Sequence, residues 1–195
     1  MNVRYVSLVV EGDLDEVISR KLISVYAPHI TIGTTFPMGG RSQIKERIGN
    51  YNQAARITPY LVLVDLDQDE CAPVLVKRWV PNKHPQLFLR VTIHQVESWL
   101  LADREAIAKF LGVVLNRIPV MPDDEKDSPE IIMTISRKSR KREIRESIPP
   151  IGDTASRGPD YNGQLSRFVQ LYWDPERARS RSPSLEKTIR AIEKL

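Results

Sequence analysis

Acidic residues stand at three separated points of this chain, each just past a run of apolar residues. Glu11 follows Tyr5-Val6-Ser7-Leu8-Val9-Val10. Asp65 and Asp67 end Tyr60-Leu61-Val62-Leu63-Val64. Glu97 comes shortly after Leu87-Phe88-Leu89-Arg90-Val91-Thr92-Ile93. Carboxylates two apart in an extended segment point the same way. Anions held close repel unless a cation or a shared proton relieves them. Oxygen-only donors suit a hard ion, Mg2+ with Mn2+ as the substitute. One or two such ions would bridge the oxygens of a phosphodiester during in-line displacement. Asp15 and Asp69 lie near enough in sequence to join as further ligands. Each acid alone also has a plainer role as a helix cap or loop residue, and Glu97 has Arg90 and Arg104 as candidate ion-pair partners. The coincidence of acids at three strand exits favours the cage.

The apolar runs predict what positions these acids. The run at 60–64 has no polar break, as in a strand buried on both faces of a parallel sheet. Strands are expected near 4–10, 29–36, 60–64 and 87–93, with helices near 13–26, 42–55, 73–80 and 104–111 between and after them. Asp13 is the expected N-cap of the first helix. This β-α alternation predicts an α/β fold, a parallel sheet flanked by helices with right-handed crossovers. Its ligand crevice is expected at the carboxyl ends of the strands. Beyond Gly112 the character changes to a Pro- and acid-rich loop and then helices over 129–147, 160–172, 175–178 and 183–195. The expected organisation is a catalytic core over 1–115 and a basic helical subdomain over 116–195 packed on it.

The chain has 195 residues and a formal net charge of +4. Arg137, Lys138, Arg140, Lys141, Arg142 and Arg145 stand against Glu143 and Glu146, so this one segment matches the whole net charge. A basic stripe on a near-neutral body suggests contact with a polyanion; a solvated helix face is the plainer account. Arg177, Arg179 and Arg181 would extend the stripe along a phosphate backbone or meet an acidic partner. Gly39-Gly40-Arg41-Ser42 precedes a helix, where backbone amides and Arg41 would favour an anion, although the spacing is not that of a P-loop. His94, Trp79, Trp99 and Trp173 read as packing residues. The lone Cys71 excludes an internal disulfide and fits a reducing cytoplasm. No apolar run approaches the ~18 residues of a membrane helix, and no signal peptide is evident.

The pattern resembles the TOPRIM fold, marked by a Glu after the first strand and Asp-x-Asp after a later one. The closer resemblance is to bacterial TOPRIM-like proteins related to the OLD (overcoming lysogenization defect) nucleases. The residues that carry the resemblance are Val10-Glu11-Gly12-Asp13-Leu14-Asp15, Gly39-Gly40, Leu63-Val64-Asp65-Leu66-Asp67 and Glu97-Ser98-Trp99-Leu100-Leu101-Ala102-Asp103. In the tail they are Gly158-Pro159-Asp160-Tyr161-Asn162, Trp173-Asp174-Pro175 and Ser182-Pro183-Ser184-Leu185. The resemblance implies a Mg2+-dependent nucleic-acid enzyme, often encoded beside an AAA-type or ABC-type ATPase in phage-defence clusters. It carries Glu11, Asp65, Asp67 and Glu97 over as metal ligands and catalytic residues, with Asp15 as a further ligand. One departure stands in the loop after the core, where a Pro-Lys step is expected and Ser128-Pro129-Glu130 is found.

The expected function is therefore a cytoplasmic, metal-dependent endonuclease acting on DNA in preference to RNA, working with an ATPase subunit. Arg41 and the six basic residues of 137–145 would bind the nucleic acid. The alternative is a non-catalytic or dormant effector subunit that binds an ATPase partner and nucleic acid. A TOPRIM phosphatase or nucleotidyl transferase would use the same cage. Homo-oligomerisation is left open.

Overall fold

In a computed structural model of the chain, which describes residues 4–67, 69–152 and 155–195, the uninterrupted apolar runs form the middle of a four-stranded parallel sheet. The strands are β1 (Arg4–Val10), β2 (Ile30–Pro37), β3 (Tyr60–Asp65) and β4 (Leu87–Thr92). Their order is β2-β1-β3-β4, and every pairing is parallel. Interior strands must bury both faces, which is why β3 reads Leu61-Val62-Leu63-Val64 without alternation; all four are buried. The chain winds from β1 outward to β2, then returns past β1 to β3 and β4. The strand order thus reverses between β1 and β3, and the carboxyl ends of these two neighbours flank the crevice where open α/β sheets bind ligands.

Helices α1 (Asp13–Tyr26), α2 (Arg41–Ala54) and α3 (Ala72–Trp79) make the connections. Ile44, Ile48 and Tyr51 of α2 and Leu75 of α3 pack on Val9, Val62, Val64, Leu87, Leu89 and Val91. Burying each such Val, Leu or Ile contributes about 1.5–3 kcal/mol. Helix α1 packs on β1 and β2 and buries Leu14, Ile18 and Leu22. Phe36, Tyr51 and Tyr60 form a ring cluster with centroids 5.6–6.3 Å apart.

The chain divides into two compact units. The first holds residues 4–93 with 186–195, and the second holds His94–Leu185. The sequence places its change of character near 115, whereas the division by contacts falls at 93/94 and returns the last ten residues to the sheet unit. The second unit is helical: α4 (Glu97–Ala102), α5 (Arg104–Leu111), α6 (Ser128–Ser136), α7 (Arg142–Ser147), α8 (Tyr161–Leu171), α9 (Pro175–Ala178) and the start of α10 (Pro183–Ile192). Its centre is Trp99, which is fully buried. The Trp99 indole N–H donates to Ser184 Oγ at 2.7 Å, and its carbonyl accepts the Trp173 indole N–H at 3.1 Å. Asp103, also fully buried, is clamped by Arg177 Nε and Nη2 at 3.0 and 2.8 Å and by the Asp174 amide at 2.9 Å.

One expected helix is two. The stretch 129–147 breaks over 137–141, because Ser139 Oγ donates to the Leu111 carbonyl and the Arg140 amide donates to that of Gly112 at 3.0 Å. These bonds pull the chain onto the end of α5 and out of helical register. Among the described residues no helix is long and apolar enough to cross a membrane.

Candidate functional site

Glu11 lies in the turn between β1 and α1. The N-cap of α1 is the extended Gly12, one residue before the expected Asp13. Asp15 secures this start: its Oδ2 accepts the Gly12 amide at 3.0 Å, and the residue is 8% exposed. With the turn held, the Glu11 carboxylate reaches across to the neighbouring strand exit, where Oε1 accepts the Asp65 amide at 2.8 Å. The Arg41 amide, at the start of α2, also donates to Glu11. Gly39 and Gly40 precede it with φ of 69° and 123°, left-handed values that a side chain rarely adopts.

Asp65 pairs in register with Thr92 of β4, and its Oδ1 accepts the Thr92 hydroxyl at 2.6 Å. Asp67 has φ of 50°, uncommon for a residue other than glycine and found at functional turns. Its Oδ2 lies 3.4 Å from Arg41 Nη1. Arg41 also pairs closely with Asp69, its guanidinium lies 5.1 Å from the centre of the Trp79 ring, and Arg78 pairs with Asp69 from the other side.

Burial pushes the Glu11 carboxyl above the usual range, and the nearby Asp67 charge adds to this. The Asp65 amide and Arg41 pull it back. Such a group gains from an added cation. The set Glu11, Asp65 and Asp67 consists of hard oxygens from adjacent strand exits and fits Mg2+ or Mn2+ in donor chemistry. Among the described residues, no three His, Cys, Asp or Glu side chains are gathered as a metal cluster. The oxygens face protein donors instead: the Asp65 amide, the Thr92 hydroxyl and Arg41.

Glu97 begins α4 in the second unit and is 3% exposed. Its Oε1 accepts the Tyr161 hydroxyl at 3.1 Å and lies 3.5 Å from Arg157 Nη2. Arg157 also sits 4.7 Å from the Tyr161 ring centre. Burial raises the Glu97 carboxyl, against the pull of Arg157 and the Tyr161 hydroxyl. Gly158 makes this turn feasible, since a Cβ there would meet the carbonyls of Ser147, Ile148 and Pro149 within 2.5 Å.

The basic segment is less uniform than its composition. Lys141 Nζ donates to the carbonyls of Lys109 and Phe110 at 2.9 and 2.8 Å, closing the end of α5. Arg142 pairs with Glu146 at 2.7 Å, and Arg145 Nη1 donates to the Ser139 carbonyl at 2.7 Å. Arg137, Lys138 and Arg140 are exposed and carry no ion pair among the described residues.

Comparison with known proteins found no matching family model, no matching curated protein and no matching solved structure. Thr92, Trp79, Tyr161 and Arg157 join the acidic residues here without having been singled out as site residues from sequence, whereas Asp69, expected as a further ligand, pairs with Arg41 and Arg78. The register of Asp65 against Thr92 is the one signal a strand alignment would have offered.

Proposed function

We propose that this chain is a divalent-metal-dependent nuclease with a TOPRIM-like core, cutting phosphodiester bonds in DNA. One observation carries the reading: the Glu11 carboxylate meets Asp65 across the β1/β3 switch point. Glu11, Asp65 and Asp67 would hold the ion. A bound Mg2+ would stabilise the charge that develops on the phosphoryl oxygens. Asp65 is oriented by Thr92, and Glu11 by two backbone amides, so both present fixed oxygens. The first amides of α2, with Arg41, favour a phosphate nearby. Arg137, Lys138 and Arg140 supply sequence-tolerant backbone contacts. The resemblance adds an ATPase subunit as partner in phage defence.

The test is incubation of the full chain with plasmid and Mg2+ or Mn2+, alone and with any ATPase found encoded beside it. Wild type is expected to nick or linearise DNA, and Asp65→Ala to leave it intact. No cleavage under any divalent ion, with or without the ATPase, counts decisively against the reading. A second reading is a dormant, non-catalytic subunit. Asp67 facing Arg41 and Glu97 facing Arg157 favour it, since both carboxylates already have cations. Full biological function in Asp67→Ala would select it.

A further inference from the structure

Arg41 holds Asp67 and Asp69 in unequal ways. The link to Asp69 is close, and Asp69 is only 12% exposed at its side chain. The link to Asp67 is the long one, 3.4 Å, to a side chain that is 44% exposed. Trp79 lies against the guanidinium, and Arg78 fixes the far oxygen of Asp69. Asp69 and Trp79 thus form the seat of Arg41, and Asp67 is its loose arm. An exposed ion pair at that distance is weak, whereas a divalent ion beside Glu11 and Asp65 would attract Asp67 with twice the charge. A guanidinium and a divalent ion sharing one carboxylate would also repel each other.

We propose that Arg41 is the resident counter-cation of Asp67, displaced from it when a divalent ion binds. Asp69 and Trp79 then keep its guanidinium at the start of α2, where a phosphate would meet it. This rests on Glu11, Asp65 and Asp67 being the metal centre. The exchange keeps Asp67 neutralised without metal and makes a phosphate-binding cation available only when metal is present.

The test is Mn2+ binding by titration calorimetry to the full chain, as wild type and as Arg41→Gln. Removing the competing charge is expected to tighten Mn2+ binding about tenfold or more, since unit charges a few ångströms apart interact measurably even in bulk water and more strongly near a protein surface. In parallel, the Nε–H resonance of Arg41 in the otherwise unaltered protein is followed by NMR during Mg2+ titration, and it is expected to move and saturate with the ion. This second readout decides the matter if Arg41→Gln does not fold. Equal or weaker Mn2+ affinity in the variant, or an Arg41 resonance unmoved at saturating Mg2+, overturns the exchange and leaves the metal centre standing. No binding of either ion to either protein overturns both.

Discussion

The Glu11 carboxylate accepts the Asp65 amide at 2.8 Å, joining residues 54 apart in sequence. The bond holds an anion where burial opposes its charge, and its titration should therefore show in stability. Burial raises the folded-state pKa of Glu11 above its unfolded value. The stabilising contribution is full below the unfolded pKa and is lost as pH rises through the folded one. Without divalent ions, Glu11→Gln should therefore melt higher than wild type at pH 8, with the difference shrinking toward pH 4. Glu97 shifts in the same direction, but it is common to both proteins and cancels. Thermal melts in chelator across that pH range check this; a variant less stable at pH 8 contradicts it.

Added metal should reverse the comparison. A ligand that binds only the folded state at about 100 times its Kd adds about 2.7 kcal/mol. Saturating Mg2+ should raise the melting temperature of wild type and leave that of Asp65→Asn unchanged. Calorimetric melts with and without Mg2+ measure it, and equal shifts in both proteins would place the ion elsewhere.

Thr92 donates its hydroxyl to Asp65 Oδ1 at 2.6 Å and is fully buried. Groups that orient a ligating carboxylate typically change metal affinity or activity about 10–100-fold when removed. Thr92→Val keeps the shape and removes the donor. The variant should stay folded, bind Mn2+ about 10–100-fold more weakly and cleave correspondingly less at limiting metal. Thr92→Ser should restore most of both. If Val and Ser variants bind alike, the hydroxyl does not orient the site.

The sheet was legible because periodicity and length suffice for it. Buried strands read as unbroken apolar runs, and their observed ends lie within about a residue of expectation. The meeting of Glu11 and Asp65 followed from one inference, that parallel strands share a carboxyl edge. Asp15 was legible as an acid near the site but not as the brace of Gly12, because cap geometry depends on where the helix begins. The break at 137–141 was hidden, since it is set by bonds from Ser139 and Arg140 to the end of a helix some thirty residues earlier. Arg41, Asp69 and Trp79 come together through packing of α2 beside α3, which no local pattern encodes.

In the second unit, Tyr161 is the buried donor to Glu97, at 2% exposure. Removing one partner of a buried hydrogen bond leaves the other unsatisfied and costs about 1–3 kcal/mol. Tyr161→Phe should lose that much in urea unfolding with little change in slope. Burial opposes the Glu97 charge, and losing this donor should raise the Glu97 carboxyl further. The deficit should therefore widen as pH rises from 5 to 8. A Tyr161→Phe variant as stable as wild type at both ends would show that Arg157 alone satisfies Glu97.

The basic segment gives a prediction that composition alone would not. Each phosphate neutralised by a free cation releases about one counterion on duplex DNA, seen in the slope of log K against log salt. Lys141, Arg142 and Arg145 already bond to carbonyls or to Glu146. Arg137, Lys138 and Arg140 carry no ion pair among the described residues and are exposed. Replacing Arg137, Lys138 or Arg140 with Ala should lower the slope by about 1 each and weaken binding across sequences alike. Arg142→Ala should change the slope by much less, because its charge is shared with Glu146. Lys141→Ala should act chiefly on stability, by opening the end of α5. Fluorescence anisotropy with a labelled duplex between 50 and 200 mM salt separates these outcomes. Equal slope changes for Arg140→Ala and Arg142→Ala would mean that internal pairing does not decide which cations reach DNA.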